Sequence, residues 1–372
     1  MRREQLPLNL TQFARTIGLS ASTVSRALNG YSDVNEETRE RVKQAAERLG
    51  YRASAVGRRL RTGRAEAIGL VLAPPQGSFA NFFHLELLAG IDEALRASEY
   101  HLVVTTAKSD QDELESLRRM VEHRQVEAML LCRTRRSDER IIWLQQQGFP
   151  FAAVGRSETA AAFPSLDIDH AASARQACER LIGLGHRRIA LINTPAALMF
   201  SAHARQGYEQ ALQAAGLRRS RALVAQAAMT EEAGHAATSA LLALASPPTA
   251  LICGDDVQAL GALAALEQAG LRAGQDVAVI GCGDSPMARY ANPPLTTFRA
   301  PFRAAGRRVT EMLFRAMGGT PGAELQEVWT PELVVRGSDG PVPRPRARAV
   351  GPDGPPAAAE RHGEAPHGEA GG

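Results

Sequence analysis

The sequence predicts a small all-α head followed by a larger α/β core built on parallel, doubly wound sheets. Three observations carry that expectation. Apolar residues recur at helical spacing through residues 9–50. From Ala67 onward, short apolar runs alternate with amphipathic segments, the pattern of strands joined by crossover helices. The charge is also divided: residues 1–64 hold 13 Arg and Lys against 6 Asp and Glu, a balance of +7, and the remaining 308 carry −4. A basic head on a mildly acidic body predicts that the head meets a polyanion and the body does something else.

In the head, Asn9 is placed to cap a helix from Leu10 to about Ile17, with Leu10, Phe13, Ala14 and Ile17 on one face. Gly18 stops it, and Ser20 caps a second helix from Ala21 to about Leu28, ended by Asn29-Gly30. Asn35 caps a third helix whose first turn carries Glu36 and Glu37, where negative charge suits the helix dipole. Its stripe is Val42, Ala45, Ala46 and Leu49, and Gly50 closes it. Residues 53–63 offer one leucine among small residues and arginines, so they form a hinge or linker and not a core.

In the body, strands are expected over 68–72, 102–105, 128–131, 151–154, 165–168, 189–192, 250–253 and 277–281. Helices are expected over 83–98, 112–124, 171–184, 204–215, 231–244, 257–269 and 299–317, with a last strand over 327–335. So many units exceed one ordinary sheet, and the chain is expected to cross into a second lobe near 165–170. Residues 340–372 hold 7 Pro and 7 Gly with almost no bulky apolar residue, the composition of a disordered tail. The expected division is a head of 1–52, a hinge of 53–65, a core of 66–339 and that tail.

Several classes are disfavoured. No apolar run approaches the ~18 residues of a membrane span, and the first residues lack the apolar segment of a signal peptide. Cys132, Cys178, Cys253 and Cys282 lie far apart without a C-x-x-C pair, which argues against a disulfide scaffold and a zinc site; no cofactor is expected. The chain reads as cytoplasmic. Gly281-x-Gly283 lacks the third glycine of a dinucleotide fingerprint, and neither a phosphate-binding loop nor a G-x-S-x-G elbow occurs. His84, His170 and His186 are isolated and read as surface or helix-terminus residues rather than catalysts. No enzymatic activity is expected.

The first two head helices and the turn at Gly18-Leu19-Ser20 have helix-turn-helix layout. Val24, Ala27 and Leu28 face the first helix, and the short polar side chains at its start let the second enter the major groove. Ser20, Thr23, Ser25 and Asn29 are suited to phosphate oxygens. Arg26 reaches guanine O6 and N7, and Ala21 and Ser22 are placed at base edges. The bland alternative, a three-helix bundle that binds protein, leaves the positive charge unexplained.

The segment LTQFARTIGLSASTVSRALNGYSDVNEETRERVKQAAERLGYRASAVGRRLRTGR resembles the DNA-binding head and hinge of the lactose/galactose repressor (LacI/GalR) family. Downstream, IGLV, NFFHLELLAGI, LGHRRIALI, LICGDDVQALGAL, VAVIGCGDS and NPPLTTF fall in the order that family shows, so the resemblance covers about residues 9–336. It implies a two-lobed core like that of periplasmic binding proteins, binding a small effector of the sugar class between the lobes. It implies a homodimer on palindromic double-stranded DNA, with repression of carbohydrate-utilisation genes under allosteric control. The NGY and VNEETRERV wording resembles regulators of α-glucoside uptake. The family's hinge becomes helical on DNA; Leu60 matches its minor-groove wedge, with Arg61 beside it. Ser54 stands, after Ala53, where many members have Pro-Asn, and retains a hydroxyl for phosphate. In the body, Phe82 and Phe83 match the pocket wall, Phe83 fitting core packing equally well, and Asp255 matches the reader of hydroxyls.

Three departures from the family's pocket are visible. Its pocket arginine falls on Ala204, with Arg205 as the substitute; its late Tyr-Asp-Asp is Cys282-Gly283-Asp284, leaving Asp284; and a stacking aromatic is replaced by about Met229. Two other functions fit an α/β body: a transporter's sugar-binding receptor, which needs export, and a sugar-modifying enzyme.

Overall fold

The computed structural model describes residues 9–28, 30–51, 64–72, 82–159 and 161–342. The head is three helices, α1 (Leu10–Thr16), α2 (Ala21–Leu28) and α3 (Glu36–Leu49). Each begins where a short polar side chain can take a free amide. Asn9 and Gln12 cap α1 reciprocally, the Thr23 amide donates to Ser20 Oγ at 3.0 Å, and the Thr38 amide donates to Asn35 Oδ1 at 2.7 Å. Phe13, Val24, Ala27, Val42 and Tyr51 pack into one small core. Within it the Phe13 and Tyr51 rings stack at 4.1 Å, fixing the residue that follows α3 against α1.

The body has two lobes. The first contains β1 (Ala67–Leu72), α4 (Phe82–Leu95), β2 (His101–Thr106), α5 (Asp110–Glu122), β3 (Ala128–Leu131), α6 (Glu139–Gln146), β4 (Phe151–Val154) and β5 (Ser165–Ile168). The second begins with α7 (His170–Gly183) and continues through β6 (Ile189–Asn193), α8 (Met199–Ala214), β7 (Val224–Gln226) and α9 (Glu231–Leu242). It ends with β8 (Ala250–Cys253), α10 (Asp256–Gln268), β9 (Ala278–Ile280), α11 (Pro286–Tyr290) and β10 (Thr297–Arg299). The chain then returns to the first lobe as α12 (Phe302–Met317) and β11 (Gln326–Trp329), and crosses back as β12 (Glu332–Val334). The first sheet runs β11-β5-β4-β3-β1-β2 and the second β7-β6-β8-β9, every pairing parallel. β10 and β12 pair antiparallel beside the second sheet.

Parallel strands covered by helices on both faces must be apolar throughout, and β3, β4, β6, β8 and β9 are wholly buried. α4 and α12 lie against each other through Gly90 and Gly306: a side chain at Gly90 would strike the Arg303 carbonyl, and one at Gly306 the Leu87 carbonyl.

The structure corrects the expected element bounds in four places. The expected strand 327–335 is two strands on different lobes, split at Thr330-Pro331, because proline lacks the amide a continuous ladder needs. Arg299 belongs to β10, so the helix expected from it starts at Phe302 after Pro301. α8 begins at Met199 rather than 204. Residues 340–342 of the expected tail are tied down, with the Val342 amide on the Leu184 carbonyl at 3.0 Å and the Gly340 carbonyl 2.9 Å from His186 Nε2. His186 is therefore fully buried rather than a surface residue.

Candidate functional site

The C-terminal ends of the parallel strands in both lobes face one cavity of about 120 Å³. Arg133 and Thr134 follow β3, Gly155 follows β4, Asp167 and Ile168 close β5, Gly254 and Asp255 follow β8, and Cys282 and Gly283 follow β9. This is where open α/β sheets bind ligands, since the loops there converge while helix N-termini point inward. Phe82, Phe83, Phe200, Met229 and Phe302 line it as well. Phe83 also packs edge-on against Phe302 at 4.9 Å, so one ring serves wall and core together.

Asp255 is the polar centre. Its Oδ1 accepts the Gln258 amide at 2.7 Å as the N-cap of α10. Its Oδ2 is buried and finds no hydrogen-bond partner among the described residues. Burial pushes this carboxyl up to about 7, the charges of Asp256 and Glu231 adding to the rise while the Gln258 amide and Arg133 oppose it. A buried acceptor without a donor is costly, so the arrangement suits a ligand hydroxyl or amine. The neighbouring Asp256 is committed to structure: it accepts the Ser285 amide at 2.6 Å and the Thr297 hydroxyl, locking the start of α10 to the loop after β9.

The opposite wall is held by ions buried in the first lobe. Arg140, 1% exposed, donates to both oxygens of Asp138 (2.9 and 2.7 Å), to Glu113, and to the carbonyls of Cys132 and Arg133. That network fixes the loop presenting Arg133 and Thr134, and Arg133 takes a left-handed backbone (φ 52°) there. Deeper in, Asp167 accepts from Arg156 at 2.6 Å and stands 3.7 Å from His203 Nδ1 of the second lobe. Burial lowers His203, with Asp167 opposing. Burial likewise lowers His84, to about 4, helped by Arg133.

Of the residues expected at the effector, Phe82, Phe83 and Asp255 line the cavity, as does Met229. Arg205 does not. One helical step past Ala204, it projects to the outer surface and donates to Glu209 at 2.7 Å. Asp284 does not line the cavity either: its carboxylate is taken by Arg336 and by Arg299 (2.7 Å), which hold it below its usual range against the effect of burial. Sequence reasoning missed Arg133, Thr134, Asp167, His170 and Phe200. Their signal was positional, since each ends or follows a parallel strand or opens the next helix.

On the head, Ser22 and Arg26 are exposed on α2, while Ala21, Thr23 and Ser25 are half-buried. Ser20 Oγ, besides capping, lies 2.8 Å from Thr23 Oγ1. Arg26 is paired with Asp33. Asn29, Ser54, Leu60 and Arg61 lie outside the described residues. Among the described residues no helix is long and apolar enough to cross a membrane, and no group of three His, Cys, Asp or Glu is placed to hold a metal ion.

Comparison with known proteins agrees with both halves. Residues 9–54 match the model for bacterial regulatory proteins of the lacI family, and residues 178–338 the model for a periplasmic binding protein-like domain. The chain is 41% identical to the HTH-type transcriptional regulator AglR of Rhizobium meliloti, over 91% of this chain and 96% of that one. It is 34% identical to the transcriptional regulator CelR of Thermobifida fusca, over 91% and 100%. Among solved structures, a CelR–cellobiose complex is 33% identical with TM-score 0.69, covering 89% of this chain and 99% of that one. The lac repressor dimer bound to operator shares the fold at 23% identity and TM-score 0.76, covering 90% and 99%. The chain is a transcriptional regulator belonging to the lacI family of bacterial regulatory proteins.

Proposed function

We propose that this regulator represses carbohydrate-utilisation genes as a homodimer on a palindromic operator, and that a sugar in the inter-lobe cavity sets its DNA affinity. The observation that carries the reading is Asp255: a buried carboxylate oxygen without a hydrogen-bond partner among the described residues, in a cavity walled by Phe82, Phe83 and Phe200. Acceptors for hydroxyls beside aromatic faces for C–H groups are what a sugar ring requires. The cellobiose complex of the CelR relative, 33% identical to this chain, supports the same class of ligand.

The DNA contacts fall on α2. Ser22 and Arg26 are exposed toward base edges; Ser20, Ala21, Thr23 and Ser25 frame the helix entry, with Asn29 after it. Ser54, Leu60 and Arg61 contribute from a hinge of 53–65 linking a head of 1–52 to a core of 66–339. Two such heads one helical turn apart read an imperfect palindrome of roughly 14–18 base pairs. The protein acts in the cytoplasm without catalysing a reaction, because a sensor needs only different affinities of its ligand for two lobe arrangements.

Calorimetric titration with glucose, maltose, cellobiose and lactose tests the reading. At least one sugar should bind the native protein and fail to bind Asp255→Asn. Absence of binding by every sugar in a broad mono- and disaccharide panel overturns it.

A further inference from the structure

Beside the cavity the two lobes are joined by a short antiparallel backbone bridge. The Met199 amide of the second lobe donates to the Thr134 carbonyl of the first at 2.9 Å, and the Arg136 amide of the first donates to the Ala197 carbonyl of the second at 3.1 Å. Arg135 and Leu198 face each other between these bonds. Each side is anchored to its own lobe. On the first lobe, the Arg135 amide donates to Asp138 Oδ2 at 3.0 Å within the buried Arg140 network. On the second, Leu198 is buried, the Leu198 amide bonds the Pro195 carbonyl, and Ser201 Oγ bonds the Thr194 carbonyl at 2.8 Å.

We propose that this bridge is the strap that holds the lobes closed over the cavity, and that it must break for ligand to enter or leave. The geometry supports the assignment in three ways. The bridge is made of backbone groups from strand-end loops, each anchored to its own lobe, so relative lobe motion must stretch it. Thr134 is a member of the bridge and a wall of the cavity, and Phe200, another wall, follows Met199 directly. A side-chain contact also crosses between the lobes, His203 Nδ1 standing 3.7 Å from Asp167 Oδ2. The consequence for ligand affinity rests on the function proposed above; the mechanical role does not.

The fold supplies a clean test. Met199 is the first residue of α8, where proline is tolerated, and Leu198 before it has φ −77° and ψ 138°, the extended backbone a following proline requires. Met199→Pro therefore deletes one strap hydrogen bond and little else, while Met199→Ala removes the side chain and keeps the amide. By hydrogen exchange without ligand, Met199→Pro should raise exchange of segment 133–137 by roughly threefold to tenfold, the population shift expected from one net hydrogen bond. Met199→Ala should leave it unchanged. Arg136→Cys with Ala197→Cys offers the converse, since both residues are exposed and the Arg136 amide bonds the Ala197 carbonyl directly across the seam. Oxidised, it should hold segment 133–137 below native exchange, and a sugar that binds the reduced form should no longer enter.

Equal exchange in native and Met199→Pro proteins, or equal effects of proline and alanine, overturns the strap. If exchange changes as expected and no sugar binds either form, the strap stands and the sugar reading fails.

Discussion

Arg26 and Asp33 form an ion pair across the turn that leaves α2, with the Arg26 guanidinium 5.9 Å from the centre of the Tyr31 ring. Both partners are about half exposed (50% and 45%), and such pairs contribute only ~0–1 kcal/mol. Asp33 therefore orients the arginine without holding it back from DNA. Arg26→Ala should cost ~1–3 kcal/mol of operator affinity and relax preference at one symmetric base position. Selection of binding sites from a random pool checks this, and Asp33→Asn should retain the native preference.

Asp255 yields a pH signature. Its carboxyl sits at about 7 in the fold and near 3.8 when unfolded, so the folded state holds the proton more tightly. Stability from this group is present at low pH and is lost as pH rises from about 4 to about 7. Replacing it by Asn, which keeps an oxygen to cap α10, should raise stability at pH 8 by on the order of 2–4 kcal/mol and have little effect near pH 4. His84, lowered to about 4, works in the opposite sense over the same range, so the native-minus-variant difference in thermal melts is the measurement.

The Phe13–Tyr51 stack closes the head core. Tyr51→Ala opens a cavity beside a fully buried ring, and such losses cost ~3–5 kcal/mol. The head should melt separately while the core keeps its own transition, seen as two steps in calorimetry and as loss of operator binding with ligand binding retained.

Arg140 predicts a stability defect that reaches the cavity. Asp138→Ala leaves a buried guanidinium with only part of its pairing, at a cost of ~3–5 kcal/mol. Melting temperature should fall, and sugar binding should weaken through the displaced loop that carries Arg133.

Much of this was legible in the sequence. The head helices were written in their caps: Asn9, Ser20 and Asn35 each stand where a helix needs an acceptor. The buried strands announced themselves as short apolar runs. What failed had physical causes. Residues 327–335 look like one strand because both pieces are extended, and only the topology assigns them to different sheets. Arg205 resembled a pocket residue by its place in the chain, yet one step along a helix is a 100° rotation. Asp284 kept its charge but faces two arginines. Arg133 and Asp167 carry no local motif at all; they become neighbours of Asp255 only because both sheets aim their strand ends at the same space.

On this reading a ligand between the lobes governs how firmly two heads grip a symmetric duplex. Fluorescence anisotropy with native protein and a selected palindrome, at fixed salt, with and without a sugar shown to bind, tests it directly. Expected are sequence preference over scrambled duplex, steep weakening with added salt, and a ligand-induced change of about 5–150-fold. Identical titrations with and without that bound sugar would contradict it.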